Sequence, residues 1–295
     1  MAENFESHKA YVPQEQTAFF DDGREVELLH FVYNHPSLAS IRGSPSGVLK
    51  AIDEYARTKK YLMNVGEDKG NLVKDLILET KPDVMLELGG YCGYSALLFG
   101  DAVRRVGGRR YFSLERNPEF AAVIMALVDL AGLSDTVKVI VGPSADSIKR
   151  LHAEGVLTYI DLMFLDHYKP AYTTDLKLCE HLGLIRPGTF LAADNVIKPG
   201  NPPYLEYVRS SIQQKRERFG RQDDQPSADS HFADRTRNQY VKRIDTEDLS
   251  NEADGNPNLK YESKLIRSFE PTGVPDGVEI TRCVGEESGT LRSGE

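Results

Sequence analysis

The stretch VMLELGGYCGYSA, residues 84–96, decides the fold. Residues 84–89 are nearly all apolar and predict a buried strand, and the pattern over 95–106 predicts a helix. The glycines between them indicate a tight turn. A buried strand that runs through a glycine turn into a helix is typical of α/β proteins with a parallel sheet.

The alternation of strand and helix continues along the chain. Four more apolar segments predict strands: RYFSLE (110–115), VKVIVG (137–142), IDLMFLD (160–166) and GTFLAADN (188–195). Helical patterns separate them, over 117–130, over 144–152 with Ser144 as the cap, and over 172–182. Because crossovers between parallel strands are right-handed, we predict a doubly wound α/β fold.

Further elements are predicted on either side of this core. Helical patterns precede it over 24–35, from Ser44 to Tyr55, and over 71–80. Strands over 260–270 and 277–284 follow it as a hairpin, with the turn around Pro275-Asp276-Gly277. The predicted fold is therefore a mainly parallel seven-stranded sheet that ends in an antiparallel hairpin, with extra N-terminal helices.

The chain is expected to form one domain with two polar segments. Residues 23–295 would fold together, preceded by a flexible arm over 1–22 in which Phe19 and Phe20 could dock on the body. Residues 210–258 are poor in apolar side chains and predict a surface insertion or disorder. The basic run over 215–218 inside this insertion is expected to be solvated.

Composition and charge narrow the function. The net charge of the 295 residues is −9 and no long basic stripe is present, so nucleic acid is not an expected partner. No run approaches the ~18 consecutive apolar residues of a membrane span, and the polar N-terminus does not resemble a signal peptide. Three separated cysteines suit a reducing compartment. We expect a cytoplasmic protein, monomeric and without a membrane partner, that acts on a small molecule.

The ends of the first two strands indicate a nucleotide-type site. Ligands of open α/β sheets lie beyond the carboxyl ends of the strands, where Glu115 could accept both hydroxyls of a ribose. Counted from Gly89, the dinucleotide pattern G-x-G-x-x-G has Tyr91 and Tyr94 at its other glycine positions, so a diphosphate is not favoured. S-adenosylmethionine fits better, because the carboxylate of Glu87 could offset its sulfonium. A tight turn without any ligand is the alternative.

The ends of the fourth and fifth strands indicate a metal site. Asp166 closes one strand and Asp194-Asn195 closes the next, so two carboxylates and an amide oxygen should meet. This set is wrong for zinc and suits Mg2+. Lys169 would lie beside the ion, where a lysine can release its proton and act as a base. Taken singly, these residues could equally be a turn cap and a solvated lysine.

These motifs together resemble the catechol O-methyltransferase family. The resemblance rests on YLMNVGEDKG, LELGGYCGYSA, SLERNP, MFLDHYK and LAADNVIKPG, and it covers 25–209 and 260–285. It implies a class I S-adenosylmethionine-dependent methyltransferase fold, Mg2+ and a catechol acceptor. It also implies that Asp166, Asp194 and Asn195 bind the metal, that Lys169 is the general base, and that Glu270 hydrogen-bonds a catechol hydroxyl.

The resemblance also implies cofactor and acceptor contacts. Cofactor contacts fall on Met63, Val65, Glu87, Gly89, Tyr91, Ser95, Glu115, Ser144 and His167, and the acceptor wall on Tyr61, Tyr168 and Pro199. Tyr61 and Tyr168 replace tryptophans of the mammalian members. Ala145 and Arg116 replace a glutamine and an apolar residue at the adenine.

Two other functions stay open at this point. One is O-methylation of another vicinal-dioxygen acceptor, such as a caffeoyl ester or a flavonoid. The other is S-adenosylmethionine binding without catalysis, which would require neither a base nor a metal.

Overall fold

The computed structural model describes residues 4–219, 232 and 253–288. Its strands are β1 (Val84–Leu88), β2 (Arg110–Glu115), β3 (Val137–Val141), β4 (Leu162–Leu165), β5 (Phe190–Ala193), β6 (Leu259–Phe269) and β7 (Pro275–Glu286). They form one sheet with the order β3-β2-β1-β4-β5-β7-β6. The pairs among β1–β5 are parallel, whereas β7 runs antiparallel to β5 and β6. The predicted fold class is confirmed.

Helices cover both faces of this sheet. They are α1 (Arg24–Tyr33), α2 (Leu38–Ile41), α3 (Pro45–Thr58), α4 (Gly66–Thr80), α5 (Tyr94–Arg105), α6 (Pro118–Leu130), α7 (Ser144–Ala153), α8 (Tyr172–His181), α9 (Pro202–Arg209) and α10 (Ile212–Arg218). One buried cluster joins α1 and α3–α6 to the sheet, and a second joins α7–α9 to the opposite face. Burial on both faces explains why the parallel strands are continuous apolar runs.

Helix α4 begins earlier than predicted. The prediction placed its start at Asn71, because Gly66 and Gly70 were interpreted as turn signals. In the structure the helix begins at Gly66, and Glu67 and Asp68 lie in its first turn, where acidic side chains stabilise a helix N-terminus. As a consequence Lys69 lies on the buried face of a helix and not in a loop.

The turn of the C-terminal hairpin also differs from its prediction. Pro275-Asp276-Gly277 was expected to form it, but these residues begin β7. The turn lies at 270–274, where the amide of Glu270 donates to Val274 O and the amide of Gly273 donates to Glu270 O. Asp276 is therefore a strand residue, and its side chain is buried.

Residues 4–22 lie along the body. Tyr11 is 5% exposed, its hydroxyl donates to Asp53 at 2.6 Å, and Lys9 donates to Glu67 at 2.9 Å. Phe19 docks edge-on against Tyr61, with the ring centroids 6.4 Å apart. The buried Tyr11 was not foreseen from the polar composition of this segment.

The flanks of the polar insertion are anchored to the second buried cluster. Lys215 was expected to be solvated, but it is buried. Its ammonium donates to Leu259 O and lies 4.4 Å from the centre of the Tyr261 ring. On the returning side the amide of Asn256 donates to Glu180 at 2.8 Å. The remainder of the predicted insertion, 220–231 and 233–252, lies outside the described residues.

Candidate active site

The site lies where the strand order changes direction, between β1 and β4. There the backbone of the turn after β1 meets the end of β4: a Cβ on Gly89 would lie 2.6 Å from Asp166 O. Gly89 also has φ +89°, a conformation that favours glycine. No side chain fits at this position, so the turn stays open at the topological switch point where ligands of such sheets bind.

Glu115 closes the cofactor side of the turn. Its carboxylate accepts from the amide of Tyr91 at 2.9 Å and from the amide of Asn117 at 2.7 Å. Burial raises its pKa to about 7, although these backbone donors act in the opposite direction. The backbone of the turn thus fixes Glu115, the acid predicted to bind the ribose, beside the predicted cofactor position.

Glu87, the other predicted acid of the cofactor site, is fully buried at the end of β1. Ser113 donates to its Oε2 at 2.5 Å. Oε1 accepts no well-aligned hydrogen bond from a described residue, although the nearby Ser95 and Tyr111 hydroxyls favour the charged carboxylate. Burial raises its pKa to about 7. A buried acceptor without a donor is costly, and a cationic ligand would relieve that cost. This unpaired oxygen therefore fits the positively charged end of S-adenosylmethionine.

Ser144 and His167 meet at a shared carboxylate. Ser144 was expected to cap α7, but the cap position is Pro143, and the Ser144 hydroxyl donates to Asp175 Oδ2 at 2.5 Å. His167 Nε2 lies 3.0 Å from the same oxygen, and its ring stacks on Tyr172. Within the described chain its buried Nδ1 has no partner, so this nitrogen could face a ligand.

The predicted metal acids lie at neighbouring strand ends. The parallel register of β4 and β5 pairs Leu165 with Ala193, which makes Asp166 and Asp194 the next residues on adjacent strands. Asn195 follows with φ +59°, and its side-chain amide donates to Glu270 at 2.6 Å. Its amide oxygen is the atom that could face a metal. Two carboxylates and one amide oxygen suit Mg2+.

An ammonium that was not predicted lies among the acids. Lys69 Nζ, from the buried face of α4, lies 2.8 Å from Asp194, 2.8 Å from Glu270 and 2.9 Å from Asp276. The Lys69 side chain is 0% exposed, and the charges of the three acids raise its pKa against the effect of burial. A lysine on the apolar stripe of an amphipathic helix was the signal that could have revealed it.

The carboxyl groups of the site outnumber its two ammonium groups, Lys69 and Lys169. Asp166, Asp194, Glu270 and Asp276 surround the site, and burial raises the pKa of Glu270 to about 8 and that of Asp194 to about 6. Burial would also raise the pKa of Asp276, but the charge of Lys69 and several hydrogen bonds lower it to about 2. A divalent cation would offset this excess. The described residues contain no group of three or more His, Cys, Asp or Glu arranged for a metal, and the predicted set has only two such residues.

Lys169, the predicted base, faces the same acids. Its Nζ donates to Asp166 at 3.0 Å and to the Tyr172 hydroxyl at 2.7 Å. The side-chain amide of Asn201 fixes the backbone of Lys169 by donating to Lys169 O at 2.8 Å. The amine is thus fixed at the edge of the site, beside a predicted metal ligand.

The predicted acceptor wall is close to these charges. Tyr61 is 8% exposed, and its pKa is raised by burial and next by the negative charge of Glu270. Tyr168 immediately precedes Lys169 and is half-buried, and Pro199 belongs to the short helical turn after β5. Of the remaining cofactor positions, Val65 and Ser95 are buried, and Met63 is half-buried.

Comparison with known proteins identifies the chain. A family model described as O-methyltransferase matches residues 43–206. The chain belongs to the O-methyltransferase family. The catechol O-methyltransferase of Bos taurus is 43% identical over 188 residues, which are 64% of this chain and 67% of that protein. The catechol O-methyltransferase of Mus musculus is 42% identical over 188 residues, 64% and 69% of the two chains.

Solved structures agree on the fold of this O-methyltransferase. TomG from Streptomyces achromogenes, solved with S-adenosylmethionine, has a TM-score of 0.53 and 20% identity, over 90% of this chain and 100% of that chain. An O-methyltransferase from Bacillus cereus has a TM-score of 0.53 and 18% identity, over 87% and 97%. Within residues 4–219 and 253–288 no helix has the length and apolar content needed to cross a membrane.

Proposed function

We propose that this protein is a Mg2+-dependent O-methyltransferase that moves the methyl group of S-adenosylmethionine to one hydroxyl of a catechol-type acceptor. The observation that carries the proposal is the register of β4 and β5, which puts Asp166 and Asp194 side by side with Asn195 and the Lys169 amine. Binding alone would need no such base. The catechol O-methyltransferase relatives point to the same acceptor class.

Each residue of the site would have a separate role. Mg2+, when bound by Asp166, Asp194 and Asn195, supplies a Lewis acid that lowers the pKa of a hydroxyl. Lys169 Nζ would take the proton of the reacting hydroxyl. The oxygen would then attack the methyl carbon in line, forming the O–CH3 bond as the CH3–S bond breaks and S-adenosylhomocysteine leaves as a neutral thioether.

Glu270 and the two tyrosines would orient the acceptor. Glu270 accepts a hydrogen bond from the second hydroxyl, while Tyr61 and Tyr168 border the ring. The unpaired Oε1 of Glu87 would face the cationic part of S-adenosylmethionine. An acceptor with two adjacent hydroxyls uses all of these groups, whereas a monophenol has no second hydroxyl to donate to Glu270.

A methyl-transfer assay tests this proposal. Catechols, caffeoyl esters, flavonoids and monophenols would be compared with Mg2+ and with a chelator. We expect transfer to catechols only when Mg2+ is present and little transfer to monophenols. Equal transfer to monophenols, or full activity in the chelator, would rule the proposal out, and a preference for caffeoyl esters or flavonoids would redefine the acceptor.

The role of Lys169 is tested by Lys169→Ala. Removing a general base costs on the order of 10²–10⁴ in rate, so turnover should fall by at least a hundredfold. Calorimetry should show unchanged S-adenosylmethionine affinity, because the amine faces Asp166 and Tyr172 and not the cofactor turn. Lys260→Ala on the exposed side of β6 is the control. Unchanged turnover in Lys169→Ala would remove the base from this position.

A further inference from the structure

Residues 4–22, named the arm here, touch the acceptor side of the site at two separate places. The arm lies outside residues 43–206, which the family model matches, so nothing in that match assigns it a role. Its contacts involve the wall formed by Tyr61 and the turn over 270–274 that holds Glu270. Both are elements that the proposed function assigns to the acceptor.

The first contact fixes the turn beside Glu270. The Tyr11 amide donates to Pro271 O at 2.9 Å, and the Phe5 ring packs on Phe269 with the centroids 5.7 Å apart. The fit is close, because a Cβ on Gly273 would lie 2.8 Å from the Phe5 ring. The arm therefore holds the residues on both sides of Glu270.

The second contact fixes Tyr61. Phe19 packs edge-on against the Tyr61 ring at 6.4 Å, and Arg24 donates to Tyr61 O at 2.7 Å and to Ala18 O at 3.1 Å. Arg24 is 1% exposed, so its buried guanidinium connects the arm to the backbone of Tyr61 through these hydrogen bonds. Ring and backbone of Tyr61 are both held by the arm or by its anchor.

The middle of the arm is anchored to the body between these contacts. Tyr11 donates its hydroxyl to Asp53 at 2.6 Å, and the Val12 amide donates to Ala56 O at 3.0 Å. Both partners lie on α3, so a rigid helix fixes the distance between the two ends. An arm attached in this way can transmit the position of one wall to the other.

We propose that the arm is a specificity-determining part of the acceptor site, which sets its width by holding Tyr61 and the Glu270 turn at a fixed separation. This inference rests on the proposed function, since it concerns the same acceptor. The ligand it selects is a small catechol, whose ring fits between a fixed wall and a fixed carboxylate. The Asp21 amide of the arm and the Tyr91 hydroxyl of the cofactor turn donate to the same oxygen, Glu25 Oε1, whereas Phe5 and Phe19 contact Phe269 and Tyr61 on the acceptor side.

The test uses Phe19→Ala and the double variant F5A/F19A in the full chain. A wider site should raise the catechol KM on the order of tenfold and lower the preference for catechol over a 4-aryl catechol by a similar factor. The affinity for S-adenosylmethionine should stay within about twofold, because only the acceptor would lose its fixed position. F19Y keeps an aromatic ring at this position and should have the wild-type KM. Q14A/Q16A, on exposed arm positions, is the matched control.

Each outcome separates the two proposals. If the wild type does not methylate catechol, the proposed function fails before the arm is tested. If the wild type is active and folded F5A/F19A keeps the wild-type KM and selectivity, the arm proposal is wrong and the function stands. A parallel loss of acceptor and cofactor affinity would also overturn it, because that pattern indicates general loosening. Circular dichroism melting establishes that the variants are folded.

Discussion

Lys69 is the residue on which the acids of the site depend. Its ammonium lies within 2.9 Å of carboxylate oxygens from Asp194, Glu270 and Asp276, and no part of it is exposed. Removing one partner of a buried ion pair leaves uncompensated charge, which costs far more than an exposed pair would. This amine therefore offsets the mutual repulsion of the three carboxylates.

Lys69→Met tests this dependence. The side-chain volume is nearly kept, so the effect reports the lost charge. We expect the free energy of unfolding to fall by about 3–5 kcal/mol at pH 8 and by less at pH 5.5, where the acids can take up protons. Urea unfolding at the two pH values measures it. Lys74→Met on the same helix is the control, and a loss below about 1 kcal/mol at both pH values would contradict the role.

Glu87 should make stability depend on pH in a definite direction. Its pKa is about 7 in the folded chain against an ordinary value of 4.5, because it is buried. Between these values the folded state retains a proton that the unfolded chain has released, so stability from this group falls as pH rises. Glu87→Gln has no proton to lose at this position. Its free energy of unfolding relative to wild type should therefore rise by up to about 3 kcal/mol as the pH increases from 4.5 to 7, and it should stay higher above pH 7.

Urea unfolding without S-adenosylmethionine measures the difference between Glu87→Gln and the wild type. Glu79→Gln, at an exposed position of α4, is the control and should show no such trend. A difference for Glu87→Gln that does not change with pH would mean that this carboxyl is not held as a buried acid.

At the scale of elements, the turn after β1 depends on close approach to β4. Gly89 and Gly107 have almost the same φ, +89° and +87°. An added Cβ meets Asp166 O at 2.6 Å in the first case and nothing within 4 Å in the second. A comparison of the two glycines therefore separates the cost of a positive φ from the cost of a steric clash with Asp166.

Gly89→Ala and Gly107→Ala test this difference. Both variants carry the strain of alanine at positive φ, about 1–2 kcal/mol. Only Gly89→Ala should move the end of β4 and Asp166, the proposed metal ligand that follows it, and a displacement of that kind can cost on the order of a hundredfold in methyl transfer. Initial rates and melting temperatures measure the two effects. Equal rates in the two variants would show that the approach to Asp166 does not matter.

The elements were predictable where burial alone decides them. The strands ending at Leu88, Glu115 and Leu165 are apolar runs because helices cover both faces, and Asp166 and Asp194 were expected to meet because parallel neighbours end at one edge. The predicted position of the hairpin turn was wrong, because two turn signals lie within a few residues of each other: Pro271-Thr-Gly273 and Pro275-Asp-Gly277. Local sequence does not say which of them bends.

Contacts between distant residues could not be predicted in this way. Lys69 and Asp194 are 125 positions apart, and Lys69 and Asp276 are 207 apart. No local periodicity encodes such a pair, since it follows from how α4 and β7 pack on the finished sheet. The buried lysine was visible as an exception on an apolar stripe, but its partners were not.

For the whole molecule, Mg2+ should stabilise the fold. A ligand that binds only the folded state adds stability in proportion to the logarithm of its concentration, about 2.7 kcal/mol at 100 times the Kd. The melting temperature of the free protein should therefore rise with Mg2+. Asp194→Asn should abolish this rise, whereas Asp146→Asn in the first turn of α7 should not.

The readout is a thermal melt without substrate, so it does not depend on methyl transfer. A rise that persists in Asp194→Asn would place the ion elsewhere. No rise in the wild type up to millimolar Mg2+ would count against a metal in this site.

The sheet order also has a consequence for biosynthesis. Glu270 and Asp276 come from the last hairpin, so a nascent chain that has folded through β5 contains Asp166, Asp194 and Lys69 without two of the acids that surround this ammonium. Long-range pairings of this kind form late. The proposed catalytic centre is therefore completed only once the ribosome has delivered the C-terminal strands, and a product terminated before them would lack Glu270 and Asp276.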